Sequence, residues 1–216
     1  MSYLKYDGAA ASVSATASGG QFGTAAVETL SGGAGADEFW GGDGDRLVGG
    51  AGDDTYVLQG FGLTLVETSG GGVDTIRGWQ SVDLADHPEI ENLRLGNDGI
   101  YGAGNAKDNV LIGEAGGQQL YGGLGQDVMV GGAGADIFVV YKGEGNDVIQ
   151  DFTAGTDKVR LKAGLSEFSQ VQARLSQVGA DVKLDLGGGD GLIFRNLSVG
   201  QLTASDFQLE LPTSAK

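Results

Sequence analysis

From Gly104 the chain repeats every nine residues: GNAKDNVLI (104–112), GEAGGQQLY (113–121), GGLGQDVMV (122–130) and GGAGADIFV (131–139). Two inserted residues lead to KGEGNDVIQ (142–150), and one more to FTAGTDKVR (152–160). An earlier block has the same shape: GGAGADEFW (32–40), the eight-residue GGDGDRLV (41–48), GGAGDDTYV (49–57) and SGGGVDTIR (69–77). The penultimate residue, position eight, is always apolar: Phe39, Leu47, Tyr56, Ile76, Leu111, Leu120, Met129, Phe138, Ile149 and Val159. A nine-residue period is neither helical nor a plain hairpin alternation, and repeats of fixed period set the fold before any local propensity does.

Each unit reads as a six-residue turn followed by a three-residue strand whose middle side chain points inward. Two units make one coil. Stacked coils pair their strands in parallel and fill the axis with the position-eight side chains. Glycine, 42 of 216 residues against only 2 prolines, then serves backbone angles that a β-carbon forbids. Collagen needs far more proline and a three-residue period, and flexible linkers lack the 40% hydrophobic content found here.

Four units, 32–40, 49–57, 122–130 and 131–139, fit the nonapeptide GGxGxDxUx in full. From about residue 30 to 160 the chain resembles the RTX, or hemolysin-type, calcium-binding repeat proteins. The segment running from Asn146 through DFTAGTDKVRL (151–161) to ASDFQL (204–209) resembles the C-terminal caps behind such rolls in type I secreted bacterial proteins, as in serralysin-type proteases and mannuronan epimerase R-modules. The resemblance implies an all-β fold, a parallel β-roll or β-solenoid with a small cap containing one helix and a hairpin. Five segments are expected: an N-terminal strand and linker over 1–30, a first repeat block over 31–77, an irregular connecting coil over 78–103, a second block over 104–160, and a cap with the secretion signal over 161–216.

Calcium takes six to eight oxygens, and one short turn cannot surround it. In the RTX family a site lies between two turns stacked on one edge, one coil apart, with a position-six Asp from each. Spacing near eighteen therefore tests each pair. Asp127 with Asp147 and Asp136 with Asp157 keep both acids; Asn109 with Asp127 and Gln118 with Asp136 keep one. In the first block Asp37 precedes Asp54 by 17 and Asp54 precedes Asp74 by 20, so this edge is expected to hold two sites. Asp45 faces the acid-free turn QGFGL (59–63), and its site is expected to be degraded. The resemblance further assigns carbonyl-presenting turn glycines: Gly33, Gly35, Gly50, Gly52, Gly123, Gly125, Gly132, Gly134, Gly145 and Gly155. About four full Ca2+ sites would bring roughly +8 against the formal charge of −16.

With 20 Asp and 9 Glu against 13 Lys plus Arg, nucleic acid and anionic membrane are poor partners, whereas hard cations are good ones. No stretch approaches a membrane span, and the absence of cysteine removes thiolate zinc sites and Cys nucleophiles. His87 is the sole histidine, so no Ser-His-Asp or multi-His site assembles. No catalytic constellation is visible, so the expectation is not an enzyme; the resemblance implies a noncatalytic calcium-dependent folding and secretion module at the C terminus of an exported, extracellular bacterial protein. Its partners would be calcium and the type I secretion machinery, with no nucleic acid and no membrane insertion. The alternatives are a polysaccharide-binding module of a glycan-active enzyme, with Trp40, Trp79, Tyr101, Tyr121 and Tyr141 as stacking platforms, or a surface-layer or adhesin segment.

In the cap, Ser166 to Gln177 is expected to form an amphipathic helix from an N-cap at Ser166, with Phe168, Val171 and Leu175 on one side. Strands at 181–186 and 191–196 should form a hairpin, and 207–211 a last strand. Val110, Val128, Val148, Ile112 and Val130 should share one outer face, covered by that helix or by a partner chain.

Overall fold

The computed structural model describes residues 12–14, 20–24, 26–96 and 100–210. It divides into two compact units, Met1–Trp79 with Glu89–Asn92, and Gln80–Pro88 with Leu93–Lys216. The strand expected at the extreme N-terminus and most of the turn at 96–99 lie outside the described residues.

The first unit contains β1 (Ser12–Ser14), β2 (Gly20–Phe22), β3 (Thr29–Ser31), β4 (Glu38–Gly41), β5 (Arg46–Val48), β6 (Thr55–Leu58), β7 (Thr64–Val66) and β8 (Thr75–Gly78). Every second strand pairs in parallel: β1, β3, β5 and β7 form one ladder, and β2, β4, β6 and β8 the other. Phe39 lies opposite Tyr56 and Tyr56 opposite Ile76, so position eight of one coil stacks on position eight of the next. Leu30, Phe39, Leu47, Tyr56 and Ile76 are fully buried, and the Phe39 and Tyr56 rings stack at 5.2 Å. Residues 20–22 and 29–30, within the segment 1–30 read as linker from composition, are thus already strand: Leu30 holds position eight of a coil whose preceding sequence, FGTAAVE (22–28), contains a single glycine.

The second unit contains β9 (Val82–Asp83), β10 (Asn92–Leu95, its first residue counted with the first unit), β11 (Tyr101–Ala103), β12 (Val110–Gly113), β13 (Gln119–Tyr121), β14 (Val128–Val130), β15 (Ile137–Tyr141), β16 (Asn146–Ile149) and β17 (Lys158–Lys162). It ends in α1 (Phe168–Gln172), β18 (Leu175–Val178), β19 (Asp181–Gly187), β20 (Asp190–Phe194) and β21 (Phe207–Leu209). One parallel ladder runs β9-β11-β13-β15-β17-β21 and another β12-β14-β16-β20. Leu111, Leu120, Met129, Phe138, Ile149 and Val159 fill the axis at 0% exposure. The nine-residue reading of the fold holds, and both units are parallel β-solenoids.

The cap continues both ladders. β20 pairs in parallel with β16, β21 pairs in parallel with β17, and the antiparallel β18-β19-β20 meander carries the expected hairpin. Phe152, Phe194, Phe207 and Phe168 form a chain of ring contacts at 5.1, 6.4 and 5.7 Å, closing the end of the core that the last coil would leave open.

Two expectations for the cap are corrected. The helix spans five residues rather than twelve, because Glu167, in a capping box with Gln170, starts it and Leu175 already belongs to β18. It also does not cover the valine face: Phe168 packs on Phe207, a residue of the other ladder, while Val110, Val128, Val130 and Val148 stay half-buried.

Candidate metal centre

Among the described residues, turns between successive strands stack into columns along the roll edges. In the first unit one column comprises residues 32–37, 49–54 and 67–74, each leading from one ladder to the other. Asp37, Asp54 and Asp74 occupy position six in it, all buried. Each uses its backbone amide to reach the next carboxylate along the column: Asp37 N donates to Asp54 Oδ1 at 2.8 Å, Asp54 N to Asp74 Oδ1 at 2.9 Å, and Asp74 N to Glu91 Oε2 at 2.8 Å.

The second unit repeats the device on two edges. Asn109 N donates to Asp127 Oδ1 at 2.8 Å and Asp127 N to Asp147 Oδ1 at 3.1 Å. On the other edge Gln118 N donates to Asp136 Oδ1 at 2.8 Å and Asp136 N to Asp157 Oδ1 at 3.0 Å. The spacing rule thus brings together the residues it named, one coil apart.

One oxygen of Asp54, Asp74, Asp127, Asp136, Asp147 and Asp157 is therefore occupied by the amide of a neighbouring turn. Asp54 Oδ2 and Asp127 Oδ2 are buried with no hydrogen-bond donor, as is Asp37 Oδ1, whose partner oxygen accepts Gly33 N at 2.9 Å. A buried anionic oxygen without a donor is costly, and a cation is the partner that removes that cost. Burial is the main reason that Asp54 is pushed up to about 6, Asp127 to about 7 and Asp147 to about 6 from the usual 3.8; neighbouring carboxylates add to each shift. An all-oxygen donor set of carboxylates and turn carbonyls fits calcium.

The turn glycines set the carbonyl frame. Gly50, at φ 104°, and Gly125, at φ 127°, lie in the left-handed region, and a β-carbon on either would sit 2.5 Å from Gly33 O or Lys107 O of the preceding turn. Gly52, Gly123, Gly132, Gly134, Gly145 and Gly155 share the positive φ, whereas Gly33 and Gly35 do not.

Asp45 differs from the others. Its Oδ1 accepts Glu28 N at 2.9 Å and its Oδ2 accepts Gly42 N at 2.8 Å, so both oxygens are satisfied by amides. Asn109 and Gln118 likewise turn their side chains to their own turns, through Asn105 N and Ala115 O.

Sequence reasoning missed three glutamates and one aspartate. Glu67 stands at position one of the third turn, where the first two have Gly32 and Gly49, and its carboxylate lies within 4.8 Å of those of Asp54 and Asp74. The Tyr56 hydroxyl donates to it, and burial together with this carboxylate keeps that phenol protonated. Glu28, which donates to Asp45, and Glu91, which accepts from Asp74, each sit 17 residues from their partner. Asp206 accepts Gly155 N at 2.8 Å and Thr203 N at 2.7 Å, tying the cap to the last turn. Spacing alone would have found Glu28 and Glu91 had the search admitted Glu at position six.

The model of the RTX calcium-binding nonapeptide repeat matches four copies, over residues 22–56 and 103–138. Its first copy starts within the segment read as linker. Endo-1,3-1,4-beta-glycanase ExsH of Rhizobium meliloti (strain 1021) is 42% identical over 194 residues, covering 88% of this chain and 41% of the relative. Endo-1,3-1,4-beta-glycanase EglC of the same strain is 40% identical over 188 residues, covering 86% and 40%. The chain spans about two fifths of the length of these curated relatives. Among solved structures, the extracellular lipase LipA from Serratia marcescens overlays with a TM-score of 0.48 at 19% identity, over 91% of this chain and 41% of that one. The two glycanase relatives overturn the expectation that the chain is not an enzyme. That expectation rested on the absence of a catalytic constellation in the residues at hand, which is silent about the polypeptides to which such repeats belong. No helix among the described residues is long and apolar enough to cross a membrane.

Proposed function

We propose that this chain, which carries RTX calcium-binding repeats on a parallel β-roll, is the calcium-folded region of an exported endo-1,3-1,4-β-glycanase. The observation that carries the calcium part is the column of buried position-six carboxylates, each with one oxygen on a neighbouring amide and, at Asp54 and Asp127, the other without a donor. The glycanase part is supported by two relatives bearing that name and aligned over 86% or more of the chain.

On this reading Asp37, Asp54 and Asp74 with Glu67 hold calcium in the first unit, and Asp127 with Asp147 and Asp136 with Asp157 hold it in the second. Turn carbonyls complete each shell. Calcium neutralises carboxylates that otherwise repel one another at close range in a poorly solvated column. Low cytoplasmic calcium leaves the turns unpaired and the chain unfolded, in a state fit to pass a type I channel. Millimolar calcium outside matches the affinity of extracellular modules and drives folding by mass action. The cap, continuous with both ladders, is the end from which the folded roll is closed and the segment assigned the secretion signal.

The test is reducing-end release from mixed-linkage β-glucan by the protein, with millimolar calcium and after removal of the metal. Cleavage that is lost on removal and returns with calcium supports the reading. Cleavage indifferent to calcium, or its absence under both conditions, contradicts it.

A further inference from the structure

Between the second and third turns of the first unit, the column gains a carboxylate that the nonapeptide does not supply. At the first place of a turn the first unit has Gly32 and Gly49, and the second block has glycine, Lys142 or Phe152. The third turn of the first unit has Glu67 there.

Glu67 is held at both oxygens. Its Oε1 accepts the Tyr56 hydroxyl and its Oε2 accepts Thr68 N at 3.1 Å, while Thr68 Oγ1 donates to Gly50 O at 3.0 Å and pins this segment to the turn before it. Among the position-eight residues Tyr56 alone carries a hydroxyl, and its ring is fully buried against Phe39. The phenol thus reaches from the hydrophobic axis to the metal column.

The oxygens converge on a space that Gly49 leaves open. A β-carbon on Gly49 would collide with Glu67 Oε1, Tyr56 Oη and Asp54 Oδ2 together. Asp54 Oδ2 is buried without a donor, and one oxygen each from Asp54, Glu67 and Asp74 lie within 4.8 Å of one another. At the same place in the second unit, a β-carbon on Gly122 or Gly131 would meet the carboxylate of its own turn, Asp127 or Asp136. Glu144, which the Tyr121 hydroxyl engages in the same manner, belongs to no such group of three acids among the described residues.

Two position-six acids bring a charge of −2 to a gap between turns, and Glu67 raises it to −3 here. Ligand charge and rigidity set how tightly an oxygen site holds a hard cation, and Glu67 with its two fixed oxygens adds to both. We propose that Glu67, positioned by Tyr56, makes this gap the chain's most strongly charged cation site, the first to take calcium and the one that most favours a trivalent ion. The proposal rests on the reading that the columns hold calcium, and it ranks the sites within them.

The test withdraws calcium from the loaded chain stepwise with a competing chelator and, in parallel, adds terbium. One calcium per chain should be held about tenfold tighter than the rest. The first equivalent of terbium should enter the same site, with its emission sensitised by the Tyr56 phenol. Glu67→Gln should abolish both signals. Tyr56→Phe keeps the ring, as Phe39 does one coil earlier, so it should keep the calcium-dependent circular dichroism of the wild type. It should nevertheless loosen the tight calcium about threefold, the effect of one lost hydrogen bond, and dim the first-equivalent emission. Glu144→Gln should change neither reading. A tight calcium that survives Glu67→Gln, or a wild type whose calcium ions all leave together, overturns the proposal; unchanged affinity in Tyr56→Phe overturns the positioning role. If calcium still drives folding while the tight site fails to follow Glu67, this ranking alone falls. If the tight site follows Glu67 while glucan cleavage is indifferent to calcium, the functional reading above falls instead.

Discussion

The backbone amide of Asp37 donates to Oδ1 of Asp54 at 2.8 Å across 17 residues of sequence, and Asp54 Oδ2 is left buried with no donor. One carboxylate thereby serves two purposes: it ties successive turns together, and it faces its second oxygen into the column where a cation would sit.

Substitutions should accordingly separate the two classes of position-six acid. Asp54→Asn and Asp127→Asn remove charge where an oxygen has no donor, and each should raise the calcium midpoint of folding about tenfold, since ligand charge tunes affinity strongly. Asp45→Asn, at a residue whose two oxygens are already on amides, should shift that midpoint less than about twofold. Calcium titrations of the three variants followed by circular dichroism check this; equal midpoints would refute the division.

Glu67 should behave as a member of the first column although it lies outside the nonapeptide motif. Its carboxylate is grouped with those of Asp54 and Asp74 and held by the Tyr56 hydroxyl. Glu67→Gln should raise the calcium midpoint about as much as Asp54→Asn, whereas Glu38→Gln, on a half-buried strand position outside the column, should leave it unchanged. Direct calcium titration calorimetry, with the number of sites fitted, distinguishes the two.

Acid should partly replace calcium. Burial first, and neighbouring carboxylates second, push Asp54 to about 6, Asp127 to about 7 and Asp147 to about 6 in the folded chain, above the usual 3.8. A carboxylate that binds its proton more tightly when folded makes folding less favourable as pH rises from about 4 to about 7, and no worse above that. Metal-stripped protein should therefore gain β signal on acidification from about pH 8 to about pH 5, while the calcium midpoint rises over the same interval because protons compete for the ligands. Loss of structure on mild acidification without metal would run against this assignment of signs.

Truncation at the closed end should propagate into the roll. Phe207, 7% exposed, joins Phe168 to Phe194 and lies opposite Val159 on the last coil. Phe207→Ala should cost about 3–5 kcal/mol at saturating calcium, in the range of other buried aromatic truncations. Denaturant unfolding in calcium measures it; a change under about 1 kcal/mol would mean that the cap does not support the coils beneath it.

The parts of the fold legible in the sequence were those fixed by period. Position eight must be apolar in every coil because it fills a continuous axis, so Phe39, Tyr56, Met129 and Phe138 announced themselves, and the one-coil spacing paired Asp127 with Asp147 and Asp136 with Asp157. The coil around Leu30 did not announce itself, since its turn uses Thr24 and Glu28 to make the bonds that glycine and aspartate make elsewhere: Thr24 N donates to Glu28 Oε2 at 2.9 Å. Glu91 escaped because a longer acid stands at position six, and Glu67 because it reaches the column from the start of its turn. In the cap, Phe168, Val171 and Leu175 keep helical spacing, yet only the first two are helical: Leu175 begins an edge strand paired with Leu184, so tertiary pairing overrode the local pattern.

The central claim is that calcium in the carboxylate columns creates the fold, and far-UV circular dichroism of the metal-stripped chain at neutral pH during a calcium titration tests it most directly. The account predicts a coil spectrum without metal and a cooperative change to a β spectrum by millimolar calcium, with magnesium, whose small octahedral shell suits these turns poorly, a weak substitute. A β spectrum already complete without metal and unchanged by calcium would contradict it.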